Sequence, residues 1–133
     1  MILVDSSVWI DFFRGTRHRQ TDALADLLDN SVTDIAVADL VVFEVMRGFR
    51  YPVEQQKARQ LLLTLDVVEI GGLDNALLAA AHYNALRARG ITIRSPIDIL
   101  LASFCIHHGH QLLHRDADFD VFETLRGLPK WPR

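Results

Sequence analysis

The sequence predicts an α/β fold, a three-layer α/β/α sandwich whose central sheet is mainly parallel. Short apolar runs typical of buried strands alternate with longer segments of helical periodicity along the whole chain. Strands separated by helices pair in parallel, because each helix returns the chain to the same end of the sheet. The length of 133 residues suits one domain, which we predict to span residues 1–133.

The first half of the chain contains two predicted strands and four predicted helices. The strands are the apolar runs 1–4 and 34–37. Apolar residues at helical spacing predict the helices, which are 6–13, 20–30, 39–47 and 53–65. Ser6 and Ser7 are predicted to cap the first helix, Asp39 the third, and Pro52 opens the fourth.

The second half continues the alternation. Apolar runs predict strands over 67–70 and 111–114. Long apolar-rich segments predict helices over 73–89 and 96–108. Each of these helices is followed by a glycine, which suits the left-handed conformation common at helix ends. The tail from Gly127 is rich in proline and basic residues, and we expect a loose end or a short edge element there.

Composition limits the class of function. The net charge of −3 argues against a protein that holds nucleic acid by bulk positive charge. Two of the 14 basic residues are lysines, which leaves 12 arginines, and the flat guanidinium group suits phosphate oxygens. Carboxylates that bind a metal would also count toward the acidic total without repelling a substrate.

The sequence also predicts a location. Cys105 is the single cysteine, so an intrachain disulfide is excluded, and its apolar surroundings predict a core position. Asp5 interrupts the first apolar stretch, so no secretory signal is recognised. No apolar run approaches the roughly 20 residues of a membrane span. We therefore expect a soluble cytoplasmic protein without membrane contact.

Two aspartates follow predicted strands. Asp5 comes after the first strand and Asp116 after the fourth, at the edge of the sheet where α/β folds bind ligands. Both have a structural alternative, because Asp5 suits a helix N-cap and Asp116 suits a polar turn. Asp118 and Asp120 follow closely, but all three acids cannot be ligands without strain. Asp116 is the first choice because it is nearest the strand end.

Glu44 lies in an apolar helical segment, where its neighbours are Leu40, Val41, Phe43 and Val45. A helix this apolar is predicted to be largely buried. A buried acid needs a partner, a metal or a cleft. The pattern therefore favours a functional role for Glu44 over a solvated one.

Asp98 has the strongest structural alternative. Ser95, Pro96 and Asp98 match the pattern of a capped helix start, in which the acid also favours the helix dipole. Local sequence alone therefore favours a capping role. The two roles are compatible, because an acid in the first turn of a helix can still face a cleft.

Four acids are predicted to converge at one edge of the sheet: Asp5, Glu44, Asp98 and Asp116. Their mutual repulsion would raise pKa values and destabilise the fold unless a cation compensates it. Oxygen ligands without cysteine or histidine select Mg²⁺ or Mn²⁺ over zinc. Such a site can polarise a phosphodiester, activate water as the nucleophile and stabilise the leaving oxygen.

The acids lie in motifs that, in this order, resemble the PIN-domain ribonucleases, and within them the VapC-type toxins of bacterial toxin–antitoxin pairs. The matching segments are 1–10 (MILVDSSVWI), 44–48 (EVMRG), 94–102 (RSPIDILLA) and 113–119 (LHRDADF). Each motif alone is weak, whereas the ordered set is specific, and the chain length agrees with the family.

The resemblance implies a PIN-like fold and a Mg²⁺- or Mn²⁺-dependent endoribonuclease that is the toxin of a type II pair. It assigns the catalytic and metal-binding roles to Asp5, Glu44, Asp98 and Asp116. Asp118 matches a frequent accessory ligand, and Ser7 matches a hydroxyl position that often supports the site. The implied partners are an RNA substrate, a second copy in a homodimer, and a VapB-like antitoxin. In the resulting hetero-oligomer the antitoxin covers the active site, and DNA is bound only through it.

Two interpretations are open for several basic and aromatic residues near the site. One basic segment forms either a solvated face or a surface that steers RNA, and it consists of Arg14, Arg17, His18 and Arg19. Arg94 and Arg115 flank two of the acids and either balance their charge or contact phosphate. Aromatic and sulfur side chains on the nearby helices pack in the core or line a groove for an antitoxin helix: Trp9, Phe12, Phe13, Phe43 and Met46.

The histidines near the sixth helix end do not predict a zinc site, because His107, His108, His110 and His114 lack a tight ligand spacing. Two alternative functions belong to other classes. A receiver-like phosphoacceptor domain would need an acid pair after the first strand and a lysine after a late one, but Asp5 precedes two serines. A non-catalytic module that binds RNA or a partner would not need the full set of acids.

Overall fold

The structure, a computed structural model, describes residues 1–30 and 34–132. Four strands form a parallel sheet in the order β3-β2-β1-β4: β1 (Ile2–Val4), β2 (Ile35–Ala38), β3 (Asp66–Val68) and β4 (Gln111–Leu113). Leu3 of β1 lies opposite Ala36 of β2 and Leu112 of β4. The predicted parallel sheet is confirmed.

Seven helices in the described ranges complete a three-layer α/β/α fold: α1 (Ser6–Phe13), α2 (Arg19–Asp29), α3 (Asp39–Met46), α4 (Pro52–Leu62), α5 (Leu73–Ala88), α6 (Pro96–His108) and α7 (Ala117–Arg126). In one group α1 contacts α2 and α3, and α3 contacts α4. In the other, α6 contacts both α5 and α7. No helix in these ranges is long and apolar enough to cross a membrane.

The strand order reverses direction beside β1. From β1 the chain moves outward to β2 and β3, and then crosses to the other side of β1 to form β4. The connections that leave β1 and β4 therefore diverge, and α/β folds bind ligands at the carboxyl ends of two such strands. Asp5 and Asp116 follow these strand ends.

The core explains why the strands are short continuous apolar runs. Side chains on both faces of β1 and β2 are buried, as expected for strands covered by helices on each side. The edge strand β3 is more exposed, with Val67 half-exposed. Trp9 is fully buried and stacks on Phe13 at 5.8 Å between ring centroids. Cys105 is buried as predicted, and burial raises the pKa of its thiol to about 12.

The cap assignments differ from the predictions. Asp5, rather than Ser6 or Ser7, is the N-cap residue of α1. Asp39 does not cap α3; its Oδ1 atom accepts hydrogen bonds from the Leu40 N–H at 2.9 Å and the Ile70 N–H at 3.1 Å. It thereby joins the start of α3 to the segment after β3, a long-range role that local sequence does not report.

The end of the chain contains a helix that the sequence did not predict. Its acid-rich start, from Asp116, resembles a polar turn, but these residues form the N-cap and first turn of α7. Beyond it, Lys130 forms an isolated parallel bridge with Leu112 of β4. The predicted short edge element is therefore present.

Candidate active site

Asp5 is both the cap of α1 and a buried acid. Its Oδ2 atom accepts hydrogen bonds from the Ser7 N–H at 3.4 Å and the Ser7 hydroxyl at 2.5 Å. The residue is only 3% exposed, and its Oδ1 atom is buried without a hydrogen-bond partner. Burial raises the pKa of Asp5, the bond from the Ser7 hydroxyl opposes this rise, and the charge of Asp116 adds to it.

Glu44 lies near Asp5 and belongs to α3. Burial is the main cause that raises the pKa of its carboxyl, and a hydrogen bond from the Ser6 side chain acts in the opposite direction. The charge of Asp5 raises this pKa further, while the cation of Arg47 lowers it. Its Oε1 atom is buried without a hydrogen-bond partner. Ser6 and Ser7 thus each support one acid, whereas the sequence had indicated only Ser7.

The surroundings of Glu44 correct one expectation. The helix α3 is not largely buried: Val41 and Val45 lie in the core, whereas Phe43 is 56% exposed. The reason is that α3 packs one stripe of side chains inward, so its high apolar content does not mean burial on all sides. Glu44 is half-buried between these two surfaces.

Asp98 combines a capped helix start with a place among the other acids. Its N–H donates to the Ser95 hydroxyl at 3.3 Å, which confirms Ser95 as the N-cap of α6. Burial is the largest cause that raises the pKa of Asp98 to about 7. The further causes are the negative charges of four other acids: Asp5, Glu44, Asp116 and Asp118.

Asp116 and Asp118 are joined at the start of α7. Asp116 is the N-cap residue, and its Oδ1 atom accepts the Asp118 N–H at 2.9 Å. Both residues are half-buried. The charges of both act on Asp98, so Asp118 lies within electrostatic range of the other acids, as an accessory ligand would.

Four acids therefore lie within electrostatic range of one another, and we call them the acid cluster: Asp5, Glu44, Asp98 and Asp116. In the described residues, no three of them have ligand atoms that all lie within 4.8 Å of one another. Two oxygens of the cluster, on Asp5 and Glu44, are buried without a hydrogen-bond donor. Buried carboxylate oxygens of this kind need a proton or a cation. The donor set is oxygen alone, which fits a hard divalent cation.

Of the two interpretations of Arg94 and Arg115, the structure does not support charge balancing, and phosphate contact stays a prediction. Among the residues that the structure describes, neither Arg94 nor Arg115 forms an ion pair with an acid, and both are exposed. The cation that lowers the pKa of Glu44 is Arg47, one turn along α3. Its guanidinium also lies 5.3 Å from the ring centroid of Phe43.

The basic segment after α1 has mostly structural roles. His18 caps α2, and its Nε2 atom lies 2.9 Å from Asp11 Oδ2. Arg17 pairs with Asp22 at 3.4 Å in an exposed contact of little energetic value. Arg14 lines the groove between α1 and the α3–α4 connection.

That groove, between α1 and the α3–α4 connection, has a volume of about 390 Å³. Its lining is aromatic and basic with one acid, and includes Phe13, Arg14, Phe49, Arg50, Tyr51 and Glu54. Of the aromatic residues that we considered for a groove, Phe13 lines it and Trp9 is in the core.

His114 is a residue near the site for which the sequence predicted no role. It follows β4, is buried, and its Nε2 atom lies 2.6 Å from Glu123 Oε2. In the described part of the chain, His114, Asp120 and Glu123 are the group of three whose ligand-type atoms lie within 4.8 Å of one another. The helical spacing of Asp120 and Glu123 could have indicated this group only if α7 had been predicted.

Comparisons with known proteins agree with this fold. The PIN domain model matches residues 2–125. Ribonuclease VapC11 of Mycobacterium tuberculosis is 32% identical over 128 residues, which cover 96% of each chain. VapC ribonuclease Mb1587 of Mycobacterium bovis has the same identity and coverage.

Solved structures show the same fold at lower sequence identity. A chain of VapBC2 from Rickettsia felis, bound to a promoter DNA fragment, has a TM-score of 0.76 at 18% identity, covering 98% of this chain and 97% of that one. A chain of a toxin–antitoxin complex from Klebsiella pneumoniae has a TM-score of 0.71 at 21% identity, with 96% and 95% coverage. By family model, sequence identity and fold, the chain belongs to the PIN-domain family and, within it, to the VapC ribonucleases.

Proposed function

We propose that this chain is a divalent-metal-dependent endoribonuclease and the toxin of a type II toxin–antitoxin pair, formed by a single PIN domain. The observation that carries the proposal is the set of neighbouring acids around Asp98, in which buried oxygens of Asp5 and Glu44 have no hydrogen-bond donor. A protein does not retain such repulsion for stability, because uncompensated buried acids weaken the fold. Family membership favours this function over the receiver-like alternative.

The acid cluster would hold the cation, with Asp118 as an accessory ligand. PIN-domain nucleases generally depend on divalent metals, and the oxygen-only donor set favours Mg²⁺ or Mn²⁺. When bound, such a cation polarises the phosphodiester and lowers the pKa of an attacking water.

The chain's own residues would prepare the acids for this role. The hydroxyl of Ser7 holds Asp5 through Oδ2, which leaves the partnerless Oδ1 for a cation. Ser6 hydrogen-bonds to Glu44 in a similar way, and Glu44 Oε1 is also partnerless. The Ser95 cap fixes the first turn of α6 and with it the direction of Asp98. Three acids would thus be oriented before the cation binds, which reduces the entropy lost on binding.

The proposed substrate is RNA, because the relatives at 32% identity are named ribonucleases. The proposed partner is a VapB-like antitoxin, because the matching solved structures include VapBC complexes, one of them bound to promoter DNA. We propose a homodimer that joins the antitoxin in a hetero-oligomer, with DNA bound only through the antitoxin. The proposed location is the cytoplasm, where both RNA and such a partner occur.

Asp98→Asn tests the function directly. The substitution keeps the size and the helix start but removes the charge, so we expect folded protein whose Mn²⁺-dependent cleavage of single-stranded RNA falls at least about 100-fold. The measurement is gel analysis of a labelled RNA in Mn²⁺, in Mg²⁺ and in EDTA.

Asp74→Asn is the matched control. Asp74 occupies the first turn of α5 as Asp98 occupies that of α6, but it is exposed, and its charge is not among those that raise the pKa of Asp98. We expect wild-type cleavage from this variant. Wild-type cleavage by Asp98→Asn would overturn the proposed function.

A further inference from the structure

His114, which is two residues before Asp116, makes three contacts that hold its ring. Its Nε2 atom lies 2.6 Å from Glu123 Oε2, and its Nδ1 atom lies 3.3 Å from the backbone nitrogen of Asp116. The ring of Phe119, which is fully buried, lies 5.0 Å from the imidazole between centroids. The histidine is itself only 7% exposed, so these contacts determine its orientation.

The two hydrogen bonds determine which ring nitrogen carries the proton. The Asp116 nitrogen is a backbone N–H and can only donate, so His114 Nδ1 must accept and carries no proton. The neutral ring therefore carries its proton on Nε2, where it donates to the carboxylate of Glu123. Glu123 thus selects the tautomer that lets Nδ1 accept from Asp116.

The same geometry argues against a cation between His114 and Glu123. Two ligands of one metal, each at about 2.0–2.2 Å, lie roughly 3 Å or more apart. The observed separation of 2.6 Å is shorter and matches a charge-assisted hydrogen bond. A metal on Nε2 would also need this nitrogen without its proton, which the bond from Asp116 opposes. The third member of the group, Asp120, is exposed.

We propose that His114 is a positioning residue for Asp116: its Nδ1 atom fixes the Asp116 backbone, and Glu123 fixes the His114 tautomer. Asp116 is then held at two points, by its N–H on His114 and by its Oδ1 on the Asp118 N–H at 2.9 Å. Neither bond uses Asp116 Oδ2, which leaves this oxygen for a cation. The inference rests on the proposed function, because it assigns Asp116 its place in the cation site.

Two amide variants test the roles of the two ring nitrogens of His114 separately. In His114→Asn the side-chain oxygen replaces Nδ1, so the acceptor for Asp116 is kept and the bond to Glu123 is lost. In His114→Gln the amide replaces Nε2, so the contact with Glu123 is kept and the acceptor is lost. A role in packing alone predicts the reverse order, because glutamine fills more of the volume of the buried imidazole than asparagine does.

Mn²⁺ affinity, measured by calorimetry on full-length protein, is the readout. We expect His114→Asn to stay within about threefold of the wild-type Kd and His114→Gln to bind about tenfold or more weakly. Circular dichroism establishes that both variants fold. Equal affinities of the two variants, or the reverse order, would overturn the inference.

The tautomer is measured on the wild-type protein without metal, by long-range correlation of the imidazole protons with both ring nitrogens. We expect the His114 proton on Nε2, and a proton on Nδ1 overturns the inference even if a variant fails to fold. Failure of the proposed function has a different signature, because wild-type protein would then not cleave RNA in Mn²⁺ whatever the tautomer of His114.

Discussion

Burial and the neighbouring negative charges raise the pKa of Asp98 from 3.8 to about 7. The folded protein without metal therefore keeps a proton on this carboxyl at a pH where the unfolded chain has lost it. A divalent cation reverses the preference, because it stabilises the ionised carboxylate. The environment that would suit Asp98 to the proposed metal site thus weakens the fold when no metal is bound.

This property predicts a pH-dependent loss of stability without metal. The folded state keeps a proton on Asp98 that the unfolded chain loses, and this difference adds to the free energy of unfolding. The added stability is fully present below pH 3.8 and is lost as the pH rises to about 7. In EDTA, we expect wild type to lose about 1–2 kcal/mol more than Asp98→Asn between about pH 5 and pH 8, after allowance for solvent screening. Urea denaturation at the two pH values measures this difference. An equal loss in both proteins would show that the Asp98 carboxyl is not its source.

At the scale of elements, the seam between α1 and α3 connects the acid cluster to the groove. Ser6 of α1 hydrogen-bonds to Glu44 of α3 at one end of this seam. Ile10, one helical turn further along α1, and Val45, the neighbour of Glu44 on α3, line the groove. The groove therefore begins about one helical turn along α1 from the Ser6–Glu44 contact.

The lining of this groove suits single-stranded RNA. Arg14 and Arg50 supply positive charge, and the Arg50 guanidinium lies 5.7 Å from the ring centroid of Tyr51, which is 57% exposed. Exposed aromatic rings beside arginines stack bases and contact phosphates.

Arg50→Ala is therefore expected to weaken RNA binding several-fold and to reduce the slope of log affinity against log salt by about 1, because one phosphate contact is lost. Fluorescence anisotropy of a labelled RNA in EDTA, at several salt concentrations, measures both quantities without cleavage. Arg59→Ala on the exposed side of α4 is the control, and we expect it to keep the wild-type slope. An unchanged slope in Arg50→Ala would remove the groove from the RNA path.

At the scale of the whole molecule, the topology assembles the site. The acid cluster draws on positions from 5 to 116, and only the crossing from β3 to β4 brings the late acids to the side of β1. Folding therefore creates both the site and its charge repulsion. A cation that binds only the folded state must stabilise the entire chain.

The stability of the protein in Mn²⁺ tests whether a cation binds the acid cluster of the folded chain. At a Mn²⁺ concentration about 100 times its Kd, we expect a gain of about 2.7 kcal/mol, which is roughly 10 °C in Tm for a chain of this size. Asp98→Asn should show a much smaller gain, and EDTA should reverse the gain in wild type. Equal shifts in both proteins would show that the cation binds elsewhere.

Local sequence patterns were sufficient to predict the parallel α/β fold and the acids that follow strands. These features are readable because apolar periodicity and strand-end positions depend on neighbours along the chain. The Ser95 cap and the Gly109 helix end were predictable for the same reason. The helix α7 was missed because its acidic first turn has the composition of a loop.

Only the folded chain shows how the acids act on one another and which residues support them. Folding pairs Ser6 with Glu44, makes Arg47 rather than Arg94 or Arg115 the nearby cation, and places His114 between Asp116 and Glu123. Burial and electrostatic interactions depend on residues far apart in the sequence, so local patterns cannot report them. The sequence thus predicted the four acids, and the strand order β3-β2-β1-β4 determined that they lie within electrostatic range of one another at one edge of the sheet.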